Sequence, residues 1–434
     1  MNEYDSNRIL DLVKPIGYVV TDNALNADCY VLNTCHIREK ATDRVYHDIG
    51  RLKKEFRNKK KPMLLVTGCV AQAETKEMLN REKYIDGVVG PQSYHKIPDI
   101  IKQLERNKNK INSTEFEVIE KFDSLNLIKN TNSKVSSFLT IQEGCDKFCH
   151  FCVVPYTRGP EHSRSLDEVI IEAKQLIDNG SKEITLLGQN VNAYEYKNKE
   201  NTFRLADLII ELNKIKDLKR IRYTTSHPND VTKDLIEAHK YCEKLMPILH
   251  LPVQSGSSKI LNAMNRKHNI SEYYKIIEKL EKAKSGIRFS SDFIIGYPGE
   301  TDDDFSQTLS LIENIKFINS YSFIYSSRPG TPASKLKNVD LDVAKKRLIK
   351  LQAVLEKNNS NHKEGILNKS IEVLFENKLR NQNKYFGRDK FLNSVIVESN
   401  KDLTGQILET KITDFNHNSL FGTILSNEKR NFAA

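Results

Sequence analysis

Long apolar runs are missing from this sequence. No stretch of its 434 residues reaches the 18 or so apolar residues that a membrane-spanning helix needs, so such a helix is not expected. The start, residues 1–6, is polar and acidic and matches neither a signal peptide nor a transit peptide. Seven cysteines, an odd number, argue against a disulfide framework. We therefore expect a cytoplasmic protein without a membrane partner.

The remaining composition is that of an ordinary globular protein. Hydrophobic residues make up 38% and charged residues 29% of the chain. Its length predicts two or three domains, each large enough to bury a core. The net charge of +10 favours polyanionic partners only weakly, because lysine-rich chains are often basic for other reasons.

Short apolar strands alternate with helical stretches through most of the chain, which predicts an α/β fold. In residues 1–105, strands at Asp28–Asn33 and Pro62–Thr67 flank a helix at Thr34–Phe56, a βαβ pattern typical of a parallel sheet. Residues 106–134 are polar and without clear periodicity, and are predicted to be a linker. Residues 135–365 repeat strand and helix six times, which predicts a partial TIM-type (β/α)6 barrel. The predicted strands are Ser137–Gln142, Glu183–Leu187, Ile221–Thr225, Pro247–Leu251, Arg288–Ile295 and Ser320–Tyr325.

The last region, residues 367–430, changes character. It follows a predicted helix at Val343–Lys357 and consists of short β-rich runs separated by glycine turns. This pattern predicts a small all-β barrel. The predicted strands are Ser370–Glu376, Ser394–Glu398, Leu408–Phe415 and Leu420–Leu425.

Three cysteines with the spacing C-x3-C-x2-C, Cys145, Cys149 and Cys152, form the most informative motif. Three thiolates can hold three irons of a 4Fe–4S cluster and leave the fourth iron open for a ligand. The alternative is a zinc site completed by His150 or His162, but no fourth ligand stands at the spacing of a zinc ribbon.

Further polar groups follow other predicted strands. Gly188–Asn190 and Gln254–Ser255 lie where a barrel would place them around the cysteine loop. In the first region, Cys35 and Cys69 follow two neighbouring strands, which suits a second cluster. Plain packing is the interpretation for Cys29, inside a strand, and for Cys242, at a helix end.

These features together resemble the radical S-adenosylmethionine (SAM) methylthiotransferase family, over nearly the whole chain and most closely its tRNA-modifying branch. The family has an amino-terminal cluster domain, a radical-SAM core and a carboxyl-terminal TRAM domain that binds RNA. The runs that carry the resemblance are Asn33–Ala41, Cys152–Arg164, Leu251–Ser257 and Tyr325–Ala333.

The resemblance implies a methylthio transfer to C2 of N6-dimethylallyladenosine beside the tRNA anticodon, by a monomer. It implies SAM on the cluster of Cys145, Cys149 and Cys152, and a second 4Fe–4S cluster on Cys35 and Cys69. An electron donor of flavodoxin or ferredoxin type and a donor of sulfur or cluster are further expected partners. The residues expected to contact SAM are Phe151, Gly188, Gln189, Asn190, Gln254 and Ser255.

RNA contacts are expected on the all-β region and beyond it. Lys384, Arg388 and Lys390 stand among aromatic residues, a pattern typical of a stacking and phosphate-binding surface, although the rings also suit a barrel core. The run Arg51–Lys61 holds seven basic residues and one acidic residue, and suits either phosphate or a solvated helix end. Arg158 and Arg164 are expected to hold carboxylate or phosphate groups near the pocket, with surface ion pairs as the alternative.

The sequence departs from the family pattern at its start. The family's first strand ends Gly-Cys-x-Met-Asn and supplies the first cysteine of the second cluster, whereas this sequence starts at Met1-Asn2. Either the protein extends further upstream, or the second cluster has two protein thiolates. In the latter case a tRNA-binding, SAM-cleaving homologue without sulfur insertion is expected. Methylthiolation of threonylcarbamoyladenosine is a further alternative, and modification of a ribosomal protein is another.

Overall fold

The amino-terminal region is built on a four-stranded parallel sheet with the order β1-β2-β3-β4. The computed structural model of the chain describes residues 1–35, 40–107, 109–116, 118–126, 128 and 134–425. The elements of this region are α1 Asn2–Val13, β1 Cys29–Thr34, α2 Lys40–Glu55, β2 Met63–Gly68, α3 Cys69–Arg81, β3 Gly87–Val89, α4 Ile97–Asn107, β4 Ile111–Ser113 and α5 Val118–Asn126.

Both faces of this sheet are covered, which explains its nearly continuous apolar strands. Leu65 packs on one face with α1, α4 and α5. Its neighbours Leu64 and Val66 pack on the other face with α2 and α3, because successive side chains of a strand point to opposite sides. The predicted βαβ unit is thus present, and residues 36–39 of its predicted helix lie outside the described residues.

The prediction of a linker over 106–134 is wrong for part of that segment. Residues Ile111–Ser113 pair with β3 as the fourth strand of the sheet. Helix α5 buries Val118, Phe122 and Leu125 against the same core as α1 and α4. A three-residue strand carries too little periodicity to be recognised, since its pairing is decided by a partner far along the chain.

The central region is an open arc of parallel strands. β5 pairs with β8 and β8 with β11, β12 pairs with β13, and β14 pairs with β15. A bridge between Ile221 and Leu245 links the first group to the segment before β12. The elements are β5 Ser136–Thr140, β6 Gln142–Glu143, α6 Val154–Arg158, β7 His162–Ser163, α7 Leu166–Asp178, β8 Glu183–Leu187, β9 Glu195–Lys197, β10 Thr202–Arg204, α8 Leu205–Asn213, β11 Arg220–Tyr223, α9 Lys233–Tyr241, β12 Ile248–His250, α10 Ser258–Ala263, α11 Ile270–Ala283, β13 Arg288–Ser290, β14 Asp292–Ile295, α12 Asp302–Ile315, β15 Tyr321–Ile324 and α13 Leu341–Glu364.

The six predicted strands of this region are present, which confirms the partial (β/α)6 barrel. The fifth is interrupted at Ser291, whose hydroxyl accepts a hydrogen bond from the main-chain N–H of Val253 at 3.0 Å. Capping boxes begin α7, α11 and α12 at Ser165, Asn269 and Thr301. These helices cover the outside of the arc with one large apolar core.

The carboxyl-terminal region is a closed five-stranded barrel with the order β16-β17-β18-β20-β19. Its strands are β16 Ser370–Lys378, β17 Lys384–Arg388, β18 Ser394–Glu398, β19 Ile407–Phe415 and β20 Ser419–Ile424. The small β-barrel is as predicted, but β17 was not recognised as a strand. Residues 426–430 of the predicted region lie outside the described residues. No helix in the described ranges is both long and apolar enough to span a membrane.

Two buried arginines inside the (β/α)6 barrel hold the β-barrel at its base. Arg220 and Arg222 alternate along β11 with residues of the helix-side core, so they point inward. Arg220 Nη1 donates to the carbonyl of residue 388 at 2.8 Å, and Arg222 donates to those of residues 389 and 390 at 3.0 and 2.9 Å. Arg222 Nε also donates to Glu183 Oε2 at 2.9 Å. Residues 388–390 therefore lie at the amino ends of the barrel strands.

Candidate functional site

The three cysteines of the C-x3-C-x2-C motif lie in one loop at the carboxyl end of β5. Gly144 opens this loop with φ +77°, and a side chain there would meet the carbonyl oxygen of Pro160 at 1.8 Å. Glycine is thus required for the chain to turn into the motif. Cys149 is buried, while Cys145 and Cys152 are partly exposed.

Hydrogen-bond donors surround these thiols. The main-chain N–H of Val154 donates to Cys152 Sγ at 3.5 Å, and Arg266 Nη1 donates to Cys149 Sγ at 3.6 Å. Burial, with smaller contributions from the neighbouring cysteines, raises the pKa of Cys145 to about 12 and that of Cys152 to about 11. Thiols whose charges interact lie close together. Bound iron would stabilise their thiolate forms. The donor set fits an iron–sulfur cluster.

The zinc alternative is less well supported. A zinc ion needs four donors that converge on one point, and among the described residues no group of three or more His, Cys, Asp or Glu is arranged to hold a metal ion. His150 Nδ1 is engaged with the carbonyl oxygen of Ala263 at 2.9 Å, and His162 stacks on Phe122. In a cubane cluster each thiolate binds a different iron, so the cysteines need not converge.

Gln142 joins the cysteine loop to the next loop of the barrel. Its Oε1 accepts from the main-chain N–H groups of Gln189 and Asn190 at 2.9 and 3.0 Å, and its Nε2 donates to the carbonyl of Gly144 at 2.7 Å. A side chain at Gly188 would meet Gln142 Oε1 at 2.5 Å. Gln142 is not among the site residues predicted from sequence, although an amide side chain at the end of a buried strand, shortly before the cysteine motif, is a signal for this role.

The structure brings the predicted loops together, yet several of their side chains already have partners in the protein. Gln189 Oε1 accepts from the N–H of Gly144 at 2.6 Å. Asn190 is buried and donates to Glu161 and Asp230 at 3.1 and 2.8 Å. These bonds give both amides a role in shaping the pocket.

The other predicted SAM neighbours lie on the opposite side of the arc. Gln254 is buried with φ +77°, and Ser255 Oγ lies 3.4 Å from Thr308 Oγ1 of α12. Phe151 is half-buried against an apolar cluster that includes Tyr297 and Tyr325. The ring therefore stands beside the cysteines with its surroundings fixed by packing.

Cys35 and Cys69 follow two directly paired residues, Thr34 of β1 and Gly68 of β2. Gly68 has φ +93°, and a side chain there would meet the carbonyl oxygen of Thr34 at 2.1 Å. The charge of Cys69 contributes to the raised pKa of Cys152, so the strand ends of the amino-terminal sheet face the cysteine loop of the barrel. Residues 36–39, which follow Cys35, lie outside the described residues.

Comparison with known proteins decides the family. Residues 139–312 match the model of the radical SAM superfamily, and residues 1–90 match that of the uncharacterized protein family UPF0004. A tRNA-2-methylthio-N(6)-dimethylallyladenosine synthase of Pelagibacter ubique is 57% identical over 100% of this chain and 97% of its own length. Relatives with the same name from Wolbachia pipientis and Rickettsia bellii are 47% and 48% identical, over 97% and 98% of this chain and 97% of each relative.

The chain belongs to the radical-SAM tRNA methylthiotransferase family. The fold agrees, because the radical SAM methyltransferase TsrM from Kitasatospora setae, with cobalamin and a [4Fe-4S] cluster bound, superposes with a TM-score of 0.55 at 11% identity, over 76% of this chain and 74% of that chain. Membership of the radical SAM superfamily implies one 4Fe–4S cluster and SAM.

In this methylthiotransferase, the carboxylates that Arg158 holds belong to the protein itself. Arg158 is buried, donates to Asp5 Oδ2 at 3.0 Å, lies 3.6 Å from Glu143 Oε1 and hydrogen-bonds Cys69. Lys121 forms a second ion pair with Glu143. Two cations and two carboxylates thus balance inside the junction between the amino-terminal sheet and the barrel, where unpaired charges would be costly.

Arg164 is likewise buried in an ion pair, with Glu172 at 2.6 Å. The Tyr4 hydroxyl of α1 donates to the same carboxylate at 3.0 Å. Both arginines therefore fix α1 against the methylthiotransferase barrel. Both arginines hold carboxylates as expected, but these belong to the protein, and a single sequence does not show that such a pair is buried.

The residues predicted to bind RNA lie away from the cysteine loop. Lys384 lies 3.4 Å from Glu398 and Arg388 lies 3.5 Å from Glu376, while Lys390 is exposed over the ring of Phe391. Tyr385 is buried in the β-barrel core. Arg388 and Lys390 stand near the amino ends of the barrel strands, where Arg220 and Arg222 bind their main-chain carbonyls, whereas the cysteines stand at the carboxyl ends.

Proposed function

We propose that this chain transfers a methylthio group to C2 of N6-dimethylallyladenosine beside the anticodon of tRNA. The observation that carries the proposal is the 57% identity, over the whole chain, to a synthase named for this product. The geometry supports it, because Cys69 and Cys152, from the two predicted cluster sites, lie within electrostatic reach of each other.

Residues of the barrel would have two roles, to hold the first cluster and to bind SAM. Cys145, Cys149 and Cys152 would hold the first cluster, and Phe151 with Gly188, Gln189, Asn190, Gln254 and Ser255 would surround the cofactor. Bound SAM and cluster supply the radical chemistry that attacks an unactivated C–H bond, which acid–base side chains cannot perform. Gln142 would keep the loop of residues 188–190 at a fixed distance from the cysteines, and the buried walls would exclude water from a reactive intermediate.

Cys35 and Cys69 would hold the second 4Fe–4S cluster, which would carry the sulfur that is transferred to C2. Their equivalent positions after paired strands place both thiols at one sheet edge, and Arg158 beside Cys69 supplies a positive charge toward a negatively charged cluster. An electron donor of flavodoxin or ferredoxin type and a donor of sulfur or cluster would complete the system.

Lys384, Arg388 and Lys390 would bind phosphates of the tRNA anticodon stem-loop. At least Lys390 is exposed, and removal of any one of these cations should weaken RNA binding in a salt-dependent way. The target base lies in a single-stranded loop, which can be opened for chemistry without breaking a helix.

Cysteine variants of the full chain test the proposal. We expect Cys149→Ala to abolish SAM cleavage, and Cys69→Ala to retain cleavage while it stops methylthiolation; Cys29→Ala, outside both sites, is the matched control. Cleavage is followed as 5′-deoxyadenosine, methylthiolation by mass spectrometry of digested tRNA, and cluster content as iron, with roughly four irons per cluster. SAM cleavage that survives in Cys149→Ala contradicts the first site, and methylthiolation that survives in Cys69→Ala contradicts the second.

A further inference from the structure

Exposed aromatic side chains gather beside the cysteine loop. Among the described residues, five phenylalanine and tyrosine side chains are exposed, and three of these surround the short helix α6. Phe148 and Tyr156 are each 50% exposed and meet edge to face, with ring centroids 6.3 Å apart. Phe116 lies over Gly159, three residues after Tyr156. We call Phe116, Phe148 and Tyr156 the aromatic face.

The backbone holds Phe148 in this exposed position at a conformational cost. Its φ is +47°, a region that bulky residues seldom adopt. The carbonyl oxygen of Phe148 accepts from Asn265 Nδ2 at 2.9 Å, which fixes the strained residue. Strained backbone and solvent-exposed rings side by side are a feature of ligand contacts rather than of packing.

The position of the aromatic face indicates its partner. Phe148 directly precedes Cys149 and Tyr156 stands four residues after Cys152, so both exposed rings lie beside the loop that would hold the cluster. Unpaired nucleobases stack on aromatic side chains, whichever base they carry. We propose that the aromatic face stacks unpaired nucleotides of the RNA that flank the target adenosine; this rests on the proposed function, because it assumes an RNA substrate.

The absence of tryptophan from the chain offers a direct test. In Phe148→Trp and in Tyr156→Trp the new side chain is the only indole, and stacking of a base on it quenches its emission. Tyr241→Trp is the matched control, since Tyr241 is also exposed but stands at the end of α9. The probes are a synthetic anticodon stem-loop RNA and a fully paired duplex of equal length, added to the cluster-loaded full chain.

We expect saturable quenching in both face variants with the stem-loop, and none with the duplex or in Tyr241→Trp. Phe148→Ala and Tyr156→Ala should each weaken stem-loop binding by roughly 5- to 150-fold, the range for loss of one stacked base. A stem-loop that binds with unchanged emission in both face variants overturns the aromatic face but leaves the proposed function standing. A stem-loop that does not bind the unaltered chain contradicts the proposed function itself.

Discussion

Replacement of Arg222 by methionine should loosen the β-barrel from the base of the (β/α)6 barrel. The arginine is buried and donates three hydrogen bonds, one to the buried carboxylate of Glu183 and two to main-chain carbonyls of residues 389 and 390. Methionine fills a similar volume but donates nothing, so both carbonyls and the carboxylate lose a partner.

The expected loss of unfolding free energy follows from the buried carboxylate of Glu183. Removal of one partner of a buried ion pair costs about 3–5 kcal/mol, because the other charge is left buried and uncompensated. Glu183 keeps one hydrogen bond, from Ser136 Oγ at 2.9 Å, and stays within electrostatic reach of Arg220, which places the expected cost of Arg222→Met toward the lower end of that range. The double variant Arg222→Met/Glu183→Gln should be more stable than Arg222→Met alone, since the uncompensated charge is gone.

Urea unfolding of the full-length variants measures these free energies. Arg44→Met is the control, because Arg44 is solvent-exposed and only reaches Asp48 at 4.0 Å; its unfolding free energy should not change. A loss below about 1 kcal/mol in Arg222→Met, or a double variant less stable than the single one, would refute the assigned role of the buried pair.

Two further outcomes are expected from the same structure. Gly144→Ala should displace the cysteine loop and lower the iron content after cluster reconstitution, because a β-carbon there would lie 1.8 Å from the carbonyl oxygen of Pro160; full iron retention would contradict this. Burial lowers the pKa of His239 to about 3, so between pH 6.5 and 3 the unfolded chain binds one more proton than the folded chain. Stability should therefore fall with falling pH by about 1.4 kcal/mol per unit from this group, and His239→Gln should show a flatter pH profile of unfolding.

The sequence predicted the elements that rest on local patterns. Each buried strand of the (β/α)6 barrel is a short apolar run between turn residues, and helices such as α12 begin with a cap at Thr301. Elements are harder to predict where their pairing partner lies far along the chain. β4 is a strand only because β3 lies beside it. For Tyr385 of β17 the sequence leaves both a stacking surface and a barrel core open, and its burial in the core is decided by the other strands of the barrel.

Candidate site residues show the same limit. The spacing of Cys145, Cys149 and Cys152 identifies them without a structure, because it is itself local. Burial of Arg158 depends instead on α1 and α5, which lie far from it in sequence and supply Asp5 and Lys121. The hydrophobic periodicity of one segment therefore gives no indication that its charged residues pair with those of another segment.

The predicted RNA contacts lie toward the two ends of the barrel strands. The carbonyl of Lys390 accepts a hydrogen bond from Arg222 of β11, whereas Phe148 lies in the cysteine loop at the carboxyl ends. Lys390→Glu should therefore weaken stem-loop binding and lower the salt dependence by about one phosphate contact. In the double variant Lys390→Glu/Phe148→Trp, saturating RNA should quench the tryptophan emission as fully as in Phe148→Trp alone, because the aromatic face is intact. Lys282→Glu, an exposed lysine on α11, is the control, and an equal loss of affinity in that variant would mean that only net charge matters.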